Sequence, residues 1–222
     1  MDMAQEIAYW AAQGLGFGYD DLHVHHTAWV LSRMHFHFHF GNPPKWRDNV
    51  TLYTWHKGAS GLFYLRDFYL QGADGSRLVT CTSSWVVIDE QTRRLVRPEE
   101  LQDLLNVGRV EEDAIAERAP KVAMPRWAEP EPAGEHKVVY SDVDIIGHTN
   151  NARYMVWAMD CLDDATVSPR RVRDVYINFN KETTLGTVVQ LFRLQSEEDG
   201  APVCYVEGRV DGKSAFCVKM VF

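Results

Sequence analysis

The stretch YSDVDIIGHTNNARYMVW, residues 140–157, holds two carboxylates, Asp142 and Asp144, and an imidazole, His148, just before an apolar helical pattern. The first turn of a helix leaves backbone N–H groups without intrahelical partners and favours negative charge. His148 precedes that turn, with Thr149 or Asn150 as the candidate N-cap. Its imidazole could orient a water or a base and respond to pH near neutrality. Asp144 could fix the tautomer of His148, or serve only as a turn residue at a strand exit. Asp142 points to the opposite face by alternation and reads as structural. Between the acid and the histidine stands an isoleucine, Ile146, which spacing alone does not explain.

A second chemical candidate is the run HFHFHF, residues 35–40, because period-two alternation places His35, His37 and His39 on one face as a metal site would. No acid cluster nearby completes a coordination shell. Phenylalanine inward and histidine outward explains the same letters, and no metal or cofactor is expected. Trp29, Phe36, Phe38, Phe40, Phe63, Tyr64 and Trp85 are expected to build the first core.

Composition limits the function classes. The chain has 222 residues, 45% of them hydrophobic, enough for one large domain or two small ones with real cores. Its 31 acidic and 23 basic residues give a net charge of -8, which argues against general nucleic-acid affinity. Cys81, Cys161, Cys204 and Cys217 lack CxxC spacing and disulfide-scaffold density, so they read as reduced thiols of a cytoplasmic protein. No run of 18 apolar residues occurs, and MDMAQEIAYW carries no basic cluster, so neither a membrane span nor a signal peptide is expected.

The elements that must position these groups are legible in outline. Ile7, Ala8, Ala11 and Leu15 recur at helical spacing, with Gly14 and Gly16 as the stop, so a helix is expected near residues 3–14. Four period-two runs follow the polar GYDDLHVHH, namely TAWVLSRMHFHFHF, NVTLYTWHKG, LFYLRDFYLQG and SRLVTCTSSWVVID, joined by short turns and therefore antiparallel. Residues 110–134, rich in acids, alanine and proline, read as a linker over the surface. The same order then returns: a strand near 135–141, a helix over 150–165, and strands near 172–181, 187–196, 202–210 and 213–221. Asp-Gly turns close the last hairpins. The second helix is apolar almost all round, through Ala152, Tyr154, Met155, Trp157, Ala158, Met159, Cys161 and Leu162, and reads as buried. This is an α+β chain with domains at 1–109 and 135–222, the first lacking a strand before its helix. Either the chain begins inside a longer protein or that edge is uncovered.

YSDVDIIGHTNNARYMVWAMD resembles the signature of acyl-acyl-carrier-protein thioesterases, close to YSDLDxNGHVNNxxYxxWxxD. TAWVLSRM, PKWRDNVTLYTW, LFYLRDFYL and SSWVVIDEQTRRLVRPEEL are similar to the amino-terminal half of that family. The resemblance implies a tandem hotdog fold, acyl-chain binding by the first hotdog and catalysis by the second, with a homodimer compatible. It places the family's catalytic aspartate on Asp144, its histidine on His148 and its glutamate on Glu182 of NFNKETTLG. The family asparagine falls on Ile146, a departure from the pattern.

Hydrolysis of a thioester needs a base for water, a donor for the developing oxyanion and exclusion of bulk solvent. Glu182 is then the candidate base, expected against an apolar wall that would raise its pKa. Direct attack by the carboxylate through an anhydride is the competing route. The amides of Gly147 to Asn151, including Thr149 and Asn150, could bind the thioester oxygen, and Gly147 would let substrate approach the backbone. Arg93, Arg94 and Arg97, and Arg170, Arg171 and Arg173, would meet an acidic acyl carrier protein. An acyl-CoA thioesterase, an acyl-thioester binding protein without turnover, and a hotdog dehydratase or hydratase are the alternatives.

Overall fold

The structure is a computed structural model that describes residues 1–41, 44–101, 106–163 and 171–222. It divides into two compact units, Met1–Pro120 and Lys121–Phe222, with the division inside the expected linker.

In the first unit, helix α1 (Asp2–Gly14) buries Ala4, Ala8 and Ala12, a stripe at i, i+4 spacing whose small side chains let the helix approach the sheet closely. A short helix, α2 (Tyr19–His23), forms where only a polar segment was expected. Its first turn carries Asp20 and Asp21, and the Asp21 carboxylate accepts from the Gly18 amide at 2.8 Å. Strands β1 (Thr27–Phe38), β2 (Val50–Ser60), β3 (Phe63–Gly72) and β4 (Arg77–Asp89) run antiparallel in the order β2-β3-β4-β1. A two-residue strand, β5 (Leu95–Val96), adds to β4 from within the arginine-rich turn. Trp29, Tyr64, Trp85 and Val87 pack with Ala12, Phe17 and Leu22 as the core.

Two of the aromatics expected in that core are elsewhere. Phe40 is exposed, and Phe63 lies under the guanidinium of Arg33, 4.8 Å from its ring centre. His35 and His37 stand opposite Thr82 and Thr80, and His39 Nε2 bonds to Thr80 Oγ1 at 3.2 Å. Among the described residues no group of three or more His, Cys, Asp or Glu side chains could hold a metal.

The segment after residue 110 is tied down rather than loose. Asp67, fully buried on β3, accepts from Lys57 Nζ at 3.1 Å and from the Ala114 amide at 2.8 Å, while Lys57 also reaches Asp113 at 2.7 Å. Buried charges need such partners.

In the second unit, Val122 and Met124 pack with Val203, Tyr205, Cys217 and Val221. Strand β6 (Glu131–Lys137) begins four residues earlier than expected and ends before the expected boundary, giving way to a 3-10 turn over Tyr140–Asp142. It is the edge strand of this sheet, which is why Pro132 and Gly134, read as linker letters, are tolerated in it. Helix α3 (Asn151–Asp160) is shorter than the expected 150–165, part of which lies outside the described residues. It is amphipathic rather than buried all round: Ala152, Tyr154, Trp157 and Ala158 face inward, and Val156 is exposed. Strands β7 (Asp174–Phe179), β8 (Val188–Glu198), β9 (Ala201–Val210) and β10 (Lys213–Val221) complete an antiparallel sheet in the order β7-β10-β9-β8-β6. Tyr154 and Trp157 meet the fully buried Phe216 of β10 with ring centres 5.0 and 6.3 Å away, so the helix lies against this sheet.

Candidate active site

The loop from Val139 to Asn150 is pinned at both ends by one residue. Asp142 Oδ2 accepts from His136 Nε2 at 2.8 Å and from the Val139 amide at 2.9 Å, and the Asp142 carbonyl accepts from the Asn150 amide at 2.8 Å. Burial pushes the Asp142 carboxyl up, but the His136 and Val139 hydrogen bonds outweigh it and hold the carboxyl below the ordinary range. The His136 ring stacks on Trp157 with centres 4.3 Å apart.

Within the loop, Asp144 makes a local turn. Its Oδ1 accepts from the Ile146 amide at 3.1 Å, its amide donates to the His148 carbonyl at 2.9 Å, and its carbonyl accepts from Gly147 at 3.1 Å. Gly147 has φ +85°, a left-handed conformation that requires glycine here, and open space where a Cβ would stand. Asn150 is the N-cap of α3, its Oδ1 accepting from the Ala152 amide at 2.9 Å. Asn150→Ala should lower unfolding stability by ~1 kcal/mol, read by chemical denaturation.

The loop lies alongside the segment that follows β7. The Thr149 amide donates to the Thr183 carbonyl at 2.8 Å, and His148 bridges to Thr184. The amides of Asn180 and Lys181 both donate to the Ala215 carbonyl, fixing the approach to Glu182. This brings His148 Nε2 to 3.7 Å from Glu182 Oε2, with 33% and 37% of the two side chains exposed. The distance exceeds direct hydrogen-bond reach, and a water beside the pair could contact both groups. Glu182 thus presents a carboxylate to His148, and Asp144 Oδ1 closes the turn.

Two expectations need correction. Glu182 is not sealed against an apolar wall, since over a third of its side chain is exposed. Of the amides from Gly147 to Asn151, those of Gly147, Thr149 and Asn150 already donate within the protein, because the loop closes on itself and on Thr183. The amides of His148 and Asn151 lie outside those bonds.

Sequence reasoning missed the polar support behind the pair. Tyr154, read as a core aromatic, has its hydroxyl 2.9 Å from Thr183 Oγ1, which is 2.7 Å from Thr149 Oγ1. The available signal was that a buried tyrosine hydroxyl needs a partner. Burial holds the Tyr154 phenol above its ordinary range despite these bonds. All four cysteines are free and buried, and burial raises each thiol, so none is poised as a thiolate.

The arginine clusters differ. Arg93, Arg94 and Arg97 are exposed on the first unit. In the second, Arg173 is exposed but pairs with Asp174 at 2.8 Å, Arg171 is exposed, and Arg170 lies outside the described residues.

Family models for the N-terminal and C-terminal domains of acyl-ACP thioesterases match residues 1–105 and 129–221. The chain belongs to the acyl-ACP thioesterase family. It is 25% identical over 219 residues to the chloroplastic oleoyl-acyl carrier protein thioesterase 1 of Arabidopsis thaliana, covering 90% of this chain and 58% of that one. It is 28% identical over 185 residues to the chloroplastic dodecanoyl-[acyl-carrier-protein] hydrolase of Cinnamomum camphora, covering 80% and 47%. The chain thus spans about half the length of these curated relatives. An acyl-ACP thioesterase from Bacteroides thetaiotaomicron superposes with a TM-score of 0.84 at 23% identity, over 100% of this chain and 87% of that one. The 12:0-ACP thioesterase of Umbellularia californica gives 0.84 at 20% identity, over 100% and 84%. Like them, this acyl-ACP thioesterase family member has the double hotdog fold. No described helix is long and apolar enough to cross a membrane.

Proposed function

We propose that this chain hydrolyses the thioester of a fatty acyl group carried on acyl carrier protein, with Glu182 and His148 as the working pair and no cofactor. The observation that carries the reading is their approach to 3.7 Å at the start of α3, on a chain of the acyl-ACP thioesterase family. Glu182 takes a proton from water as its oxygen attacks the carbonyl carbon. His148 orients that water. The amides of His148 and Asn151, close to the positive end of the α3 dipole, are the donors offered to the oxyanion. The C–S bond then breaks, and the carrier thiol leaves with the proton. The first unit takes the acyl chain in this reading, and the four buried, free cysteines of the chain suit a reducing, cytoplasmic setting.

With acyl-ACP of graded chain length, the purified chain should release one carrier thiol per fatty acid over many turnovers. Acyl-ACP bound and returned intact would instead make it a binding protein, a reading that Ile146 at the asparagine position favours.

The carrier is proposed to dock through the exposed Arg93, Arg94 and Arg97, with Arg171 and Arg173 of the second unit as further contacts. Screening weakens exposed charge contacts, so raising ionic strength from low to about 0.5 M should raise the KM for acyl-ACP severalfold. The KM for a small acyl thioester should stay nearly constant. Equal salt sensitivity of the two substrates would count against arginine docking.

A further inference from the structure

We infer that Thr183 is a positioning residue whose buried hydroxyl, clamped between Thr149 and Tyr154, holds Glu182 at its working distance from His148. The inference rests on the assignment of Glu182 and His148 as the working pair.

Thr183 follows Glu182 in the chain, and Thr149 follows His148. Their hydroxyls are 2.7 Å apart, and the Thr149 amide donates to the Thr183 carbonyl at 2.8 Å. Tyr154 closes the cluster from α3: its hydroxyl is 2.9 Å from Thr183 Oγ1 and accepts from the Thr183 amide at 3.2 Å. All three residues are buried. Because neighbours in extended backbone point to opposite sides, the threonines face inward while His148 and Glu182 face outward to the more exposed side. The hydroxyl contact therefore adds a side-chain tie to the Thr149–Thr183 backbone bond, and helps fix the spacing of His148 and Glu182, which make no direct hydrogen bond to each other at 3.7 Å.

The cluster is self-sufficient. Each hydroxyl can donate once and accept twice, and Thr183 Oγ1 has a donor or acceptor on either side. Its loss removes one hydroxyl partner each from Thr149 and Tyr154 in a buried site and leaves the backbone bonds of Thr183 to hold the two segments, which loosens their spacing. No role in touching substrate is needed for Thr183.

Thr183→Val keeps the shape and removes the hydroxyl. It should lower kcat about 10- to 100-fold, the scale of a small misplacement of reacting groups, with KM within about 3-fold of the parent. Thr183→Ser, which restores the hydroxyl, should recover most of that loss. The deciding comparison places Thr183→Val in a Glu182→Gln background, where no carboxylate remains to be misplaced. Residual turnover there should fall no further. An equal fold-loss in both backgrounds would show that Thr183 acts without Glu182 and would overturn the inference. Parental kcat in Thr183→Val beside an inactive Glu182→Gln overturns the inference alone, whereas full turnover in Glu182→Gln removes the working pair itself. Should Thr183→Val lose its fold by circular dichroism, Tyr154→Phe supplies the same comparison, with a severalfold loss of kcat expected only where Glu182 is present.

Discussion

Replacing Ile146 with asparagine is expected to raise kcat on acyl-ACP by about 10- to 100-fold with little change in KM, part of the 10²- to 10³-fold typically lost with one preorganised polar contact. The resemblance to the family signature places an asparagine at the position of Ile146. The isoleucine side chain offers neither donor nor acceptor to the pair. Two neighbouring side chains that could substitute for that asparagine, those of Thr183 and Asn150, are already engaged. Thr183 Oγ1 is buried between Thr149 and Tyr154, and Asn150 Oδ1 caps α3. Desolvation does not oppose the change either, because Ile146 is 54% exposed and an amide there keeps contact with water. The backbone N–H of residue 146 donates a hydrogen bond to Asp144 Oδ1, which the substitution retains. Steady-state kinetics on one acyl-ACP, beside a melting curve matching the parent, checks the result. An unchanged or lower kcat would show that Ile146 does not limit the proposed turnover.

The parts of the fold that were legible in the sequence are those governed by short-range periodicity. The alternation in residues 27–38 and 77–89 and the Asp-Gly turn at 211–212 mark β1, β4 and the β9-β10 hairpin almost to the residue. Boundaries were missed where tertiary context overrode local letters. Pro132 and Gly134 enter β6 because an edge strand need not use every backbone donor, and α2 is too short for periodicity to reveal. At the candidate site, His148 and Glu182 were nameable through the family signature, and the structure adds how near they stand. Their support was not readable, since Thr149 and Thr183 are 34 residues apart and meet only because the loop pairs with the segment after β7. The expectation of free amides failed for the same reason. A one-dimensional reading gives the helix start its unpaired donors, but the folded loop supplies acceptors from Asp142, Asp144 and Thr183.

The proposed hydrolytic step depends on the Glu182 carboxylate. Glu182→Gln preserves size and polarity while removing the carboxylate, and with it both the ability to take a proton and the charge that faces His148. Its side chain is partly exposed, and the backbone bonds that pin the loop run through Asp142, Asp144, His148 and Thr183, so the fold should survive. The expected effect is a fall in kcat on the order of 10²-fold or more, the scale for removal of a general base, with affinity for acyl-ACP retained. The most direct measurement is the kcat of Glu182→Gln and of the parent on the same acyl-ACP, with the dissociation constant of each for that substrate. A loss of at least about 10²-fold in kcat at matched affinity is the result this mechanism requires. Turnover within a few-fold of the parent would contradict it and would move the base elsewhere, with Asp144 the next group to test.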